Sequence, residues 1–457
     1  MKKILSMFLI VVFLLVSVPT NQVNASSYVP VATFVFTENS NKFNVDNIAK
    51  LLYGETFTQN NTLFVPLRNV IEEVGGSISW NGKEKSISII LNDLNVNLKV
   101  NSNYAYINKK EVKILPLILK NGRSFISLKD LANLLNGTVL NEFSIEIQKQ
   151  LVEVFDTTGR KIKVPVKINK IVSLNPMVTL FVFPLKMQDK LIAIPTSAKV
   201  INKTNFEKVF PNLSKLKDGS NFKNPNVETI LSLKPDIVIS SSGTPVQKLE
   251  EVGIPIALLS IEDTRTMLKS IQFLGTILGK TKEATDTLIY LDSKLAFIKS
   301  KTDSIQKKKT VYFALGRLTQ SAGASLMQND MIERASGISV TKDIKGGKID
   351  VSIEQILSFN PDYIILAPYS TDSVESIFSN SVLRGVNAVK NKNVYKMPQF
   401  LGSYDLPEPE VVLGIMWLSN VLYGNSVNFD MKKEAKEFYS KIFNYNLTDA
   451  DLNYIFP

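Results

Sequence analysis

The chain has 457 residues, 44% hydrophobic and 21% charged, a balance that predicts two or three folded domains with little disorder. It contains neither cysteine nor histidine, which excludes disulfides, thiolate or imidazole metal sites, cysteine nucleophiles, serine-histidine triads and lipid attached through a cysteine. The formal charge of +11 is spread along the chain, with Lys307, Lys308 and Lys309 the one tight basic run, so no nucleic-acid partner is expected.

The chain starts Met1-Lys2-Lys3, followed by an apolar run to Val18, Pro19 and small residues up to Ala25. This is the pattern of a secretory signal, cut after Ala25, and the run is shorter than the roughly 20 residues a spanning helix needs. The mature protein is therefore expected outside the cell, secreted or at the surface, without a lipoprotein cysteine.

Residues 62–76 predict a short strand that turns through Pro66 into an amphipathic helix stopped by Gly75 and Gly76. An Asn81-Gly82 hairpin turn follows, between alternating apolar residues. Residues 123–139 repeat the strand, helix, glycine and strand. The string TLFVPLRNVIEEVGGSISWNGKEKSISI resembles the amino-terminal domain of copper amine oxidases as it recurs in secreted Gram-positive proteins, over residues 50–147. The resemblance implies a non-catalytic α+β stalk or surface domain without copper, and a possible contact with the cell wall.

From Lys170 onward short apolar runs at 171–174, 237–240 and 254–259 read as strands covered on both faces, hence a parallel sheet. After Thr264 helical spacing takes over, with a break at Gly279-Lys280-Thr281 and a second helix long enough to bridge two lobes. Strands resume at 310–314 and 363–367. The expected fold is α/β: two Rossmann-like lobes joined by a long helix, preceded by the smaller repeat domain. The expected divisions are a signal at 1–25, the repeat domain at 26–150, an N-lobe at 151–262, the inter-lobe helices at 263–305 and a C-lobe at 306–457.

Each lobe carries one phrase, NVETILSLKPDIVI at 226–239 and SIEQILSFNPDYII at 352–365, with glutamate and aspartate at the same spacing. Physically, each is a capped short helix with an acid in its first turn, a Pro-Asp turn and a buried strand. With DTTGRKIKVP at 156–165, these phrases resemble the substrate-binding proteins of ABC importers for iron-siderophores, haem and cobalamin. The resemblance implies a class III solute-binding protein, with its ligand between the lobes and an ABC transporter permease dimer as partner. It assigns Glu228 and Glu354 to transporter docking.

Ligands in open α/β sheets bind beyond the carboxyl ends of strands. The candidate ligand-binding residues there are Asn175, Met177, Ser241, Ser242, Arg317, Tyr369, Phe400 and Tyr404. Arg317 suits a carboxylate or oxyanion, and Phe400 and Tyr404 suit a ringed ligand. No metal-ligating residue, catalytic residue or cofactor is expected, because Asp405, Glu408 and Glu410 sit among prolines that suggest a helix start rather than a glycosidase pair. The expected cargo is a metal complex: ferric siderophore, haem or corrinoid. The tail SYDLPEPE followed by LGIMWL also resembles molybdate- and tungstate-binding members of the family, which makes an oxyanion the alternative. A non-transport surface protein is the third reading.

Overall fold

The computed structural model describes residues 28–195, 197 and 203–457. The signal-like segment 1–25 lies outside them.

The first domain is built from three antiparallel sheets and two short helices, Leu67–Glu73 and Leu128–Leu134. Each helix continues directly from a strand, Thr62–Pro66 or Arg123–Ser127, and these two strands pair with each other. The sequence repeat is thus a repeat in space. Its glycine signal has two separate causes. Gly75 and its equivalent Asn136 both adopt left-handed backbone, which asparagine tolerates. A Cβ on Gly137 would stand 2.4 Å from Ile147 Cδ1, so here the second glycine is required for close approach to a strand. The apolar faces of both helices, including Val70, Ile71, Leu131 and Ala132, meet one core with Phe34, Ile89 and Ile145. The hairpin after Trp80 differs from expectation. Asn81 Oδ1 accepts from the backbone N–H of Lys83 and Glu84, and Lys85 rather than Gly82 takes the left-handed conformation. A side-chain-organised four-residue loop replaces the tight Asn-Gly turn.

A two-stranded ribbon, Leu151–Phe155 with Lys161–Pro165, leads into the lobes. Its turn is held by Asp156, which accepts from the backbone N–H of Thr158, Arg160 and Leu258 and from the Arg160 guanidinium.

The next sheet has five strands, in the order Lys217–Asp218, Leu191–Ile194, Ile171–Ser173, Ile237–Ser241 and Ile256–Leu259, all parallel. The second lobe is mixed. Thr310–Ala314 pairs in parallel with Tyr363–Leu366, which pairs in parallel with Val394–Lys396, but on its other side it meets Gln320–Ala322 antiparallel. Too few residues separate Ala314 from Gln320 for a crossover, so that connection can only fold back.

Helices Thr264–Ile277 and Thr281–Thr302 stand between the lobes in sequence, the second spanning 22 residues and so about 33 Å. They pack tightly: a Cβ on Gly275 would lie 2.3 Å from Ala284 Cβ. One apolar cluster runs through both lobes, joining Ile171 and Ile237 to Val311, Ile365 and Val412. A core shared in this way opposes wide hinge motion.

The first domain is anchored on the first lobe by a buried lysine. Lys149, with no exposed surface, donates to Asp46 at 3.1 Å and to Asp236 at 2.6 Å. Lys170 approaches Asp46 at 3.3 Å, and Tyr28 N donates to Val252 O. Asp236 lies immediately before strand Ile237–Ser241, so the domain sits at the end of the sheet where strands begin. The loops at the carboxyl ends are at the other end.

Candidate functional site

In the first lobe, strand Ile171–Ser173 ends at Asn175, which caps helix Pro176–Thr179 by accepting from Met177 N at 2.8 Å. Asn175 Nδ2 donates to Ser241 Oγ at 2.7 Å, so two candidates from adjacent strand ends are brought together. The carbonyl of Asn175 accepts from the hydroxyls of Ser173 and Thr179. Asn175 and Ser241 are buried, Met177 is half-buried against the shared core, and Ser242 donates to Glu262 at 2.9 Å near the surface. This side of the site is hydroxyl-rich, with the Glu262 carboxylate at its exposed edge.

In the second lobe, Arg317 is exposed. Its Nη2 donates to Asp350 Oδ1 at 2.7 Å and its Nε to Thr319 Oγ1 at 3.0 Å. An anion bound there would compete with Asp350. Tyr369 keeps part of its ring exposed while its hydroxyl donates to Asp405 Oδ2 at 3.0 Å. No hydrogen bond among the described residues joins the first-lobe candidates to those of the second lobe. The lobes are instead tied by Thr264 to Asp330, by Asn205 Nδ2 to Phe400 O at 3.4 Å, and by Lys208 to Asp451 at 2.6 Å.

Phe400 and Tyr404 correct the sequence reading. Both have no exposed surface. The Phe400 ring packs edge-on to Tyr439 with centroids 5.0 Å apart, and the Tyr404 hydroxyl lies 3.3 Å from that of Tyr439. Neither ring presents a face to a ligand, because the apolar payload of an aromatic is best used in the core when helix Met431–Phe443 covers it.

The acids beside them are also buried. Helix Val411–Tyr423 does start just after Glu410, yet Asp405, Glu408 and Glu410 all point inward, none more than 3% exposed. Glu410 accepts from Leu401 N, Gly402 N and the Tyr439 hydroxyl, and Asp405 accepts from Gln328 Nε2 at 2.8 Å. Glu408 Oε2 has no partner. Among the described residues no lysine or arginine pairs with them. Burial pushes the Glu410 carboxyl up to about 7, and burial beside Glu410 and Asp405 raises Glu408 well above the carboxylate range. Sequence reasoning missed Gln328, Asn205 and Lys208, whose roles depend on contacts far along the chain. Among the described residues no group of three or more acidic side chains is arranged to hold a metal ion.

Glu228 and Glu354 occupy matching places, each in the first turn of its helix, Val227–Ser232 or Ile353–Phe359. Asn226 caps one and Ser352, in a capping box with Gln355, the other. Both glutamates are exposed, and neither makes an ion pair among the described residues. The aspartates of the same phrases act inside the fold. Asp236 accepts from the N–H of Asn169 and Lys170, and Asp362 from Thr310 N at 3.0 Å, so each holds the entry to its lobe's neighbouring strand.

Two α/β lobes on a shared core, joined through a long helix and carrying the same acid-tipped helix, define a class III solute-binding protein. The family model described as periplasmic binding protein matches residues 171–400, half of the chain, and the protein belongs to that family. The copper amine oxidase N-terminal domain matches residues 44–147. The chain is 24% identical to the molybdate-binding protein MolA of Haemophilus influenzae, over 68% of this chain and 96% of that one. It is 26% identical to the iron(3+)-hydroxamate-binding protein FhuD of Bacillus subtilis, over 38% of this chain and 58% of that one. A solved periplasmic solute binding protein from Veillonella parvula superposes with a TM-score of 0.60 at 28% identity, over 67% of this chain and 97% of that one. The protein is therefore an ABC-transporter substrate-binding protein rather than an enzyme.

Proposed function

We propose that this receptor works outside the cell, takes up a small oxyanion of the molybdate or tungstate type between its lobes, and delivers it to a permease dimer through Glu228 and Glu354. The observation that carries the ligand assignment is the burial of Phe400 and Tyr404. With those rings withdrawn, the strand ends offer mainly hydroxyls, backbone N–H groups and Arg317, the chemistry that recognises an oxyanion. A relative matched over 96% of its length is a molybdate-binding protein. The second reading, a metal complex such as a ferric siderophore, haem or corrinoid, is favoured by the partly exposed Tyr369 ring and by shorter matches to proteins named for such ligands.

The docking role rests on two exposed carboxylates at equivalent positions, neither in an ion pair among the described residues. The N-terminal domain, attached at the opposite end of the first-lobe sheet, leaves that face free and is proposed to keep the protein near its importer by contact with the cell wall. Among the described residues no helix is long and apolar enough to cross a membrane.

The test is a thermal-shift panel of molybdate, tungstate, a ferric hydroxamate, haem and cobalamin. A ligand at about 100 times its Kd stabilises by about 2.7 kcal/mol, a shift of a few degrees. A shift with molybdate or tungstate alone supports the oxyanion, and one confined to the chelates overturns it.

A further inference from the structure

The antiparallel pairing of the two repeats in the N-terminal domain sets Phe125 opposite Pro66 and Ser127 opposite Phe64. It creates two equivalent grooves. Each is walled by the start of one copy's helix and the strand that follows, and closed by the strand hairpin of the other copy. Position for position, Arg68 corresponds to Lys129, Asn69 to Asp130 and Trp80 to Asn141. The backbone plan is shared while the chemistry differs.

The groove of the second copy carries mixed charge, with Glu38, Glu142 and Lys129 on its walls. Its Asp130 is already used, accepting from Leu115 N at 2.9 Å and from the Ser127 hydroxyl at 2.6 Å. The groove of the first copy has a volume of about 560 Å³, within the range of small-molecule sites, and no carboxylate among its lining residues.

Trp80 is one of two tryptophans in the chain, and its placement is unusual. It lies on the edge strand Ser77–Asn81 directly opposite Ile87, a buried residue, and so on the core-facing side of its sheet. It is nevertheless 45% exposed, and its indole N–H has no partner among the described residues. Tyr53 and Leu119 are exposed on the same groove. At the rim, Glu72 accepts from both Arg68 at 3.3 Å and the Tyr53 hydroxyl at 3.1 Å, fixing the two together. Arg123 has no carboxylate partner among the described residues. An uncovered ring beside a free guanidinium, with the Asn69 side chain steadied by Tyr53 N at 2.9 Å, is an unfilled recognition surface.

We propose that this groove binds a sugar ring bearing an acidic group, as a unit of an anionic glycan. The indole of Trp80 receives the C–H face of the sugar, and Arg123, with Arg68 beside it, pairs with a carboxylate or phosphate. The proposal deepens the reading of the N-terminal domain as the module that retains the protein at the wall, and it makes the retention specific to one copy of the repeat.

The experiment uses the full chain and three soluble probes: a muramyl-containing glycan fragment for the carboxylate, a phosphate-bearing wall polymer for the phosphate, and a neutral chito-oligosaccharide, each titrated by calorimetry. One acidic probe is expected to bind at least tenfold more tightly than the neutral one. Trp80→Asn, which installs the residue of the other copy, is expected to lower that affinity at least tenfold. Arg123→Thr weakens it and flattens its salt dependence, while Asn141→Ala leaves it unchanged. Melting temperatures of the variants check that the fold survives. Equal binding of neutral and acidic probes, or unchanged affinity in Trp80→Asn, overturns the proposal. If Trp80→Asn is retained on cells as well as the parent, the groove fails and wall retention stands. If the soluble glycan binds but the protein is recovered wholly in the medium, the groove stands and retention fails.

Discussion

The two lobes give their buried carboxylates different partners. In the first, Asp236 faces the buried cation of Lys149, reaching across from the N-terminal domain, although burial still raises its carboxyl; on the N-terminal domain's side of the junction Lys149 and Lys170 together hold Asp46 below its ordinary range although burial alone would raise it. In the second, Asp405, Glu408 and Glu410 face hydroxyls, amides and one another, and burial drives them toward their neutral forms. A buried ion pair ties two domains together but fails badly when one partner is lost. A buried protonated acid costs less to seat, at the expense of a stability that depends on pH.

The largest effect that would break this contrast is in the first lobe. Lys149→Met leaves Asp46 and Asp236 buried without their shared cation, and Asp236 Oδ1 already lacks a partner. A loss of about 3–5 kcal/mol is expected in denaturant unfolding. Adding Asp236→Asn to Lys149→Met should restore part of it, and no restoration would mean that packing rather than charge holds the junction.

The second lobe answers to pH. A carboxyl raised to about 7 when folded binds a proton that the unfolded chain has released, so its stabilisation is complete below the ordinary value near 4.5 and is lost as pH rises through about 7. Between pH 5 and pH 8 the parent should lose on the order of 3 kcal/mol relative to Glu410→Gln. Parallel melting-temperature profiles for the two proteins would refute the protonated-acid account.

A smaller loss sharpens the comparison between the paired aspartates. Asp362→Ala removes the acceptor for Thr310 N and should cost about 1–3 kcal/mol, less than Lys149→Met because no buried charge is stranded. The smallest effect on stability, within about 0.5 kcal/mol, belongs to Glu228→Gln with Glu354→Gln. That pair should abolish uptake in cells while leaving ligand affinity unchanged, and reduced affinity in a titration would remove the docking assignment.

Much of this architecture was legible from local pattern. The strand-helix-glycine repeat, the parallel first-lobe sheet, the long helix after Thr281 and the repeated phrase with exposed Glu228 and Glu354 follow from periodicity, caps and breakers, which act within a few residues. The antiparallel strand at Gln320 was missed because it is only three residues long and two of them, Gln320 and Ser321, are polar. The candidate site was less legible. Asn175 and Ser241 do meet, but Phe400 and Tyr404 look like ligand platforms in a linear reading and are core residues in space.

The sequence by itself therefore determined the fold class, the family phrases and the chemistry that the absence of cysteine and histidine forbids, because these depend on residue type and short-range order. Only the tertiary structure decided which side chains are left free. Whether Lys149 is a surface charge or a buried anchor, Glu410 a helix start or a protonated core acid, and Trp80 a core ring or an open groove wall depends on which distant segment covers it. Burial and pairing are properties of the packed chain, and they set the charge state and reach of each group.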